Sequence, residues 1–257
     1  MRTVNIVLFA DGEVDRSLPR DDPRSQHILS VLRRAPGESL DVGRINGPRG
    51  KAKVESVTDL ALTLSFTWDS ESPVAEHITL ICGLCRPQTS RRVLREAATL
   101  GVDRMFFART DRGEANYAGS SLWSTGEHER QVRSGVEQAF ATRLPNVEFG
   151  MSLTEAIADA AGDVRIGLDN YEGIQPLHTA SMTADVPLVL AVGSERGWSQ
   201  QERDLLRESQ YVLVGLGSRV LRTETAIIAA LSVIKSRTGA WDDGPTVDTR
   251  QTDTPQT

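Results

Sequence analysis

The most informative stretch of this sequence is LGSRVLRTETA, at positions 216–226. It contains a glycine turn that follows an apolar run at 211–214, and it leads into an apolar helix predicted over 226–234. Thr223 suits the N-cap of that helix, and Glu224 suits its positive end. Capping does not explain Arg219 and Arg222, because a cation is unfavourable beside a helix N-terminus. Either the stretch is an ordinary helix start, or an anion or reacting group belongs there.

The residues before this stretch predict a parallel sheet. Apolar runs near 78–84, 102–107, 147–151, 164–168, 188–192 and 211–214 alternate with helical patterns, which is typical of a mostly parallel sheet covered on both faces. Capping boxes begin two of the helices, at Ser152 with Glu155 and at Ser199 with Glu202. A third helix, over 89–100, is predicted to end at Gly101.

A second glycine-rich segment, GSERG at 193–197, follows the apolar run at 188–192. The carboxyl ends of parallel strands are where α/β sheets bind ligands, and glycine allows a close approach of the backbone. The segment fits neither a Walker A loop nor a dinucleotide fingerprint, and its serine stands one place early for a nucleophile elbow. A ligand-binding loop and a simple strand–helix turn both remain open.

The first 70 or so residues are predicted to be rich in β-strands. Strands are indicated at 4–9, 39–44 and 60–66, with a short helix near 23–33 and a polar linker at 68–73. Short strands joined by tight turns favour a small barrel. We therefore expect a barrel at 1–72, an α/β domain at 73–241 and a disordered polar tail at 242–257.

Composition excludes several classes of protein. The 257 residues contain no apolar run of about 18, which argues against a membrane span, and an acidic start argues against a secretory signal, so we expect a cytoplasmic protein. Cys82 and Cys85 have the spacing of redox and zinc motifs, but they sit in a predicted strand and are better explained as core residues. The four histidines are scattered, so no metal site is expected.

The charge balance argues against a general nucleic-acid coat protein, because the formal net charge is −6. Locally basic segments nevertheless occur. Either these arginines form a solvated face, or they bind RNA phosphates. The candidate RNA-binding residues are Arg33, Arg34, Arg86, Arg91, Arg92 and Arg112.

Taken in order, five segments resemble one family. HILSVLR at 27–33 with PGE at 36–38 resembles its N-terminal signature, AATLGV at 97–102 its "ATELGV" helix end, and EQ at 137–138 its "EQ" helix. GSERGWS at 193–199 is similar to its "GPEGGFS" loop, and positions 216–226 are similar to "LGxRILRTETA". The family is that of the bacterial 16S ribosomal RNA (uracil-N3) methyltransferases, in the SPOUT superfamily.

The resemblance implies a PUA-like barrel followed by an α/β domain with a trefoil knot, a homodimer, and 16S rRNA or the small ribosomal subunit as partner. It also implies S-adenosyl-L-methionine as cofactor. Loops at 168–172, 193–197 and 216–221 should surround this cofactor. The candidate cofactor-binding residues are Leu168, Val192, Gly193, Ser194, Glu195, Gly197, Leu216, Gly217, Val220, Leu221 and Thr223.

The chemistry of methyl transfer to uracil N3 gives three catalytic candidates in this sequence. Arg222 would stabilise a uracil anion or hold phosphate, and Glu224 or Glu195 would orient it or accept a proton. The sequence also departs from the family pattern. Ser194 and Arg196 replace the proline and second glycine of "GPEGG", and Ala141 replaces the arginine of "EQxxR". A SPOUT enzyme for another RNA or base position, or an inactive RNA-binding or assembly module, therefore remain alternatives.

Overall fold

The computed structural model describes residues 6–14, 16–71 and 74–242, so the predicted disordered tail lies outside the described residues except for Asp242. Two sheets organise the chain. The first contains β1 to β5 in the order β1-β3-β4-β5-β2. Its elements are β1 (Val7–Phe9), β2 (Leu18–Pro19), α1 (Pro23–Gln26), β3 (Ser39–Arg44), β4 (Arg49–Val57) and β5 (Ala61–Trp68).

This first sheet corresponds to the predicted barrel. It encloses a core of its own, and the predicted strand at 39–44 matches β3. The predicted helix at 23–33 is present as α1 followed by a π-helical turn at His27–Val31, with Ile28 fully buried. Strand β4 was not predicted, and Gly50, which lies in it, was expected in a turn. In β4 the buried face carries the small residues Ala52 and Val54 between charged neighbours, which gives a weak apolar signal.

The second sheet has seven parallel strands in the order β10-β12-β9-β11-β6-β7-β8. Its strands are β6 (Ile78–Gly83), β7 (Arg104–Arg109), β8 (Asn146–Ser152), β9 (Val164–Leu168), β10 (Gln175–Pro176), β11 (Leu188–Val192) and β12 (Val212–Gly215). Its helices are α2 (Pro87–Thr99), α3 (Ser121–Ser124), α4 (Glu127–Gln138), α5 (Leu153–Asp159), α6 (Gln200–Glu208) and α7 (Thr223–Arg237).

The expected α/β class and the six predicted strands are confirmed. Every residue of β11 is buried, as expected for a central parallel strand covered on both faces. Only β10 was missed, because two residues carry no periodic pattern. The trefoil knot and the domain boundaries at 72/73 and 241/242 stay predictions.

The predicted N-terminal caps of the helices are mostly confirmed. Both capping boxes are present, with Ser152 accepting from the N–H of Glu155 and Ser199 accepting from that of Glu202. One assignment was wrong by one residue. Arg222, not Thr223, is the N-cap of α7, and it caps without a side-chain hydrogen bond, while Thr223 is already helical and buried.

Strand β1 and the residue before it are shared between the two halves of the chain. Ile6 and Leu8 pack into the core of the parallel sheet, whereas Val7 and Phe9 pack into the core of the first sheet. Side chains alternate across a strand, so one segment can serve two cores. The Leu8 N–H also donates to a Glu137 carboxylate oxygen of α4, at 3.3 Å. This shared strand ties the two sheets together.

Both cysteines are buried and free, which confirms that they are core residues. Their thiols both donate to the carbonyl of Gly83. No helix in the described part of the chain has the length and hydropathy needed to cross a bilayer.

Candidate functional site

A cleft of about 190 Å³ opens at the carboxyl ends of β9, β11 and β12. The strand register sets its position, because Leu168 is aligned with Val192 of β11 and with Val214 of β12. The loops that follow these strands, and the start of α7, form the walls. The lining residues are Leu168, Asp169, Asn170, Tyr171, Val192, Gly193, Ser194, Glu195, Arg196, Gly197, Trp198, Val214, Leu216, Val220, Leu221, Thr223 and Ala226.

Ten of the eleven candidate cofactor-binding residues line this cleft. The exception is Gly217, which lies in the exposed turn after β12 and outside the lining. Three lining residues, Asp169 to Tyr171, fall in the predicted loop at 168–172 but were not singled out. Trp198 and Val214 were missed because buried apolar residues beside a strand look like ordinary core.

The GSERG loop is packed closely against the sheet. A β-carbon on Gly193 would lie 3.0 Å from the Gly197 backbone, and one on Gly83 would lie 2.4 Å from the Ser194 nitrogen. The buried indole N–H of Trp198 donates to the Leu168 carbonyl at 3.0 Å, which joins this loop to the end of β9. The loop therefore presents a fixed stretch of backbone to the cleft.

The two residues that depart from the family pattern in this loop have different environments. Ser194 is buried, and its hydroxyl has no hydrogen-bond partner among the described residues. Arg196 is an exposed side chain whose guanidinium pairs with Glu114 at 3.2 Å. Its backbone carbonyl accepts from Arg112 at 3.2 Å. Arg196 is thus held toward Glu114, and Ser194 contributes an unpaired polar group.

The loop after β9 is fixed by a buried ion pair. The Asp169 carboxylate lies 2.7 Å from the Arg203 guanidinium of α6, and the two side chains are 2% and 6% exposed. The same carboxylate accepts the backbone N–H groups of Tyr171 and Glu172, each at 2.7 Å. Buried charges are tolerated when they are paired and hydrogen-bonded in this way. The pair therefore fixes the backbone of the loop at 169–172.

The three catalytic candidates lie around the cleft. Arg222 is exposed at the N-terminus of α7, and its side chain makes no hydrogen bond or ion pair with another described residue. Glu224 pairs with Arg92 at 3.0 Å, and Glu195 accepts the backbone N–H of Arg86 at 3.2 Å. Each carboxylate is therefore oriented by a residue of the segment 86–92.

The RNA-binding candidates fall into two groups. Arg86 and Arg112 contact the lining residues Glu195 and Arg196, and Arg92 pairs with Glu224, which follows the lining residue Thr223. The other three candidates have no contact with a lining residue. Arg91 makes two hydrogen bonds to Glu127, which raise its pKa. Arg33 and Arg34 follow the π-helical turn of the first sheet.

The cleft combines an apolar floor with one buried polar group, the Ser194 hydroxyl, that has no partner among the described residues. Aliphatic side chains come from the strand ends and from α7, and backbone groups come from the loops. Burying the Ser194 hydroxyl without a hydrogen-bond partner lowers the stability of the protein unless a ligand pairs with it. These residues fit a nucleoside ligand that has an apolar ring and hydrogen-bonding atoms, as S-adenosylmethionine has.

Comparison with known proteins gives consistent similarities. A family model described as RNA methyltransferase domain matches residues 70–235. The chain is 33% identical over 249 residues to ribosomal RNA small subunit methyltransferase E of Treponema pallidum, covering 93% of each chain. It is 24% identical over 243 residues to ribosomal RNA small subunit methyltransferase E 1 of Borreliella burgdorferi, covering 91% of this chain and 98% of that protein.

The fold is similar to that of a ribosomal RNA small subunit methyltransferase E from Neisseria gonorrhoeae, solved bound to S-adenosyl methionine. The TM-score is 0.76 at 23% identity, and the match covers 91% of this chain and 98% of that one.

Proposed function

Because the chain belongs to the family of RNA methyltransferase domains, we propose that it transfers a methyl group from S-adenosylmethionine to N3 of a uridine in 16S ribosomal RNA. One observation carries this proposal. Ten of the eleven cofactor-binding residues that the resemblance implies line a single cleft at the ends of three adjacent strands. Ligand binding at this edge is the general behaviour of parallel sheets.

The cofactor, when bound, supplies an electrophilic methyl group on a sulfonium sulfur. Leu168, Val192 and Leu216 are the apolar side chains that would hold it, together with the backbone of the GSERG loop. The Ser194 hydroxyl would gain the hydrogen-bond partner that it lacks. The close packing of Gly193 against Gly197 keeps this surface in place before the ligand arrives.

The residues at the start of α7 and in the GSERG loop would act on the target base. Uracil N3 must lose its proton to become a nucleophile, and negative charge then develops on the neighbouring oxygens. Arg222 is a cation without a partner among the described residues, at a helix end that already favours anions, and it would stabilise that charge. Glu195 lines the cleft and has one carboxylate oxygen, Oε2, that the Arg86 N–H does not occupy, so it would receive the proton. Glu224 would orient Arg92.

The target base must be unpaired or extruded, since N3 of uracil is inaccessible inside a base-paired RNA helix. Arg86, Arg92 and Arg112 would hold phosphates near the cleft, and Arg33 and Arg34 on the first sheet would hold a more distant part of the same RNA. The proposal includes the 16S rRNA or small subunit as partner, a homodimer, the trefoil knot and a cytoplasmic location, where ribosomal subunits are found.

The experiment is methylation of small subunits isolated from a strain that lacks the gene, with mass mapping of the modified nucleosides. We expect one 3-methyluridine to be restored by the wild-type protein. Arg222→Ala should reduce the rate at least about 10-fold, whereas Arg130→Ala, which removes an exposed arginine of α4, should leave it unchanged. Modification of a different nucleotide would indicate another RNA substrate. Calorimetry that detects no S-adenosylmethionine binding would indicate a non-enzymatic module.

A further inference from the structure

The rim of the cleft carries two apolar side chains that are almost fully exposed. Tyr171, from the loop after β9, is 80% exposed, and Val220, from the loop after β12, is 82% exposed. The strand-end residues of the same cleft are 8% exposed at Leu168 and 5% at Val192. This contrast places Tyr171 and Val220 at the opening of the cleft and the strand ends at its floor.

The Tyr171 ring is held in position from one side. The Arg203 guanidinium carbon lies over the ring, 5.5 Å from its centroid. Arg203 is itself fixed by the buried carboxylate of Asp169, which also accepts the Tyr171 backbone N–H. Both the backbone and one face of the ring are therefore anchored by one buried ion pair. The remaining surface of the side chain is exposed at the cleft.

Resting on the proposed function, we propose that Tyr171 is a stacking platform for the unpaired target pyrimidine, with Val220 as a second exposed apolar contact at the opening. A base that leaves its helix loses the stacking of its neighbours, and an aromatic side chain replaces part of that energy. A cation on one face of the ring and a base on the other is a common arrangement at nucleic-acid sites.

The depth of the cleft assigns this ring to the base rather than to the cofactor. The buried groups suited to the cofactor, Ser194 and the strand ends, lie at the floor, and Tyr171 lies where an RNA nucleotide must enter. Stacking engages the face of the base. It leaves N3 free for proton transfer to Glu195 and the neighbouring oxygens free for Arg222. Tyr171 would therefore contribute affinity for an exposed base without determining which atom is methylated.

The test compares Tyr171→Ala with Tyr171→Phe, and uses Ile174→Ala as the matched control. Ile174 is 78% exposed, lies three residues from Tyr171 and does not line the cleft. Single-turnover methylation of small subunits from the deletion strain gives kcat/KM. Calorimetry gives the S-adenosylmethionine Kd, and sedimentation gives the oligomeric state.

We expect Tyr171→Ala to lower kcat/KM for the subunit about 10-fold or more, with the cofactor Kd and the oligomeric state unchanged. Tyr171→Phe and Ile174→Ala should each stay within about twofold of the wild type, because the stacking ring is retained in both.

Four results would overturn the inference while leaving the proposed function intact. They are an alanine variant with unchanged kcat/KM, a loss of cofactor affinity as large as the loss of activity, a phenylalanine variant as impaired as the alanine variant, and a change of oligomeric state. The last would show that a second copy of the chain covers the ring. Failure of the wild-type protein to transfer a methyl group is a separate result, and it would overturn the proposed function itself.

Discussion

The buried pair of Asp169 and Arg203 allows a quantitative prediction for Asp169→Ala. The variant removes the 2.7 Å partner of a guanidinium whose side chain is 6% exposed, and it leaves that guanidinium only a 3.7 Å contact with Glu172. It also removes the acceptor of two backbone N–H groups. At this degree of burial, solvent screens the charge little. Removing one member of a buried pair costs about 3–5 kcal/mol. We expect a loss of this size in the free energy of unfolding, measured by urea denaturation with tryptophan fluorescence as the signal.

A matched control is Asp204→Ala, which removes an exposed pair with Arg207 at 2.9 Å and should cost less than about 1 kcal/mol. The double variant Asp169→Ala with Arg203→Met should be less destabilised than the sum of its single variants, because no unpaired charge is then buried. A loss below about 1 kcal/mol for Asp169→Ala, or strict additivity in the double variant, would refute the claim that this pair fixes the loop.

Three further predictions concern individual side chains. Gly83→Ala places a methyl group 2.4 Å from the Ser194 nitrogen. Calorimetry should therefore show S-adenosylmethionine binding weakened about 10-fold or more. Unchanged affinity would contradict the proposed cofactor loop. Burial raises the pKa of Tyr211 to about 12. The free energy of unfolding should therefore fall as pH rises from about 10, where the unfolded tyrosine ionises, to about 12. Tyr211→Phe should abolish this dependence in alkaline unfolding curves. Burial also raises the pKa of Glu137, so its protonated form is favoured in the folded state and stability declines as pH rises past the ordinary glutamate pKa. The stability of Glu137→Gln relative to wild type should therefore increase from pH 4 to pH 7, and a constant difference in urea unfolding would refute this.

The sequence predicted those parts of the molecule that depend on local patterns. Periodic apolar runs identified the central strands, and Ser152 and Ser199 marked helix starts, because capping involves residues only three apart. The cleft was predictable since the ends of parallel strands must meet at one edge of the sheet. The alternation of Lys51 to Glu55 in β4 was too weakly apolar to detect, because the buried side chains are small.

The features that the sequence did not predict depend on contacts between distant residues. Nothing in the neighbourhood of Asp169 indicates a partner 34 positions away, and Arg92 is 132 positions from Glu224. For the same reason Arg91 and Arg92 looked equivalent, although Arg91 is bound to Glu127 and Arg92 reaches α7. Only the tertiary structure distinguishes an arginine that pairs with α4 from one that pairs with the start of α7.

The strand that serves two cores restricts how the protein can be divided. A chimaera that joins the first sheet of one relative to the parallel sheet of another would need to match Ile6 and Leu8 to the hydrophobic core of that second protein, at the region that contains Val136 here. A fragment that begins after the linker would expose this region of the core to water and would tend to aggregate. The first sheet is therefore not an interchangeable attachment, because its contact with the parallel sheet depends on the packing of Ile6 and Leu8.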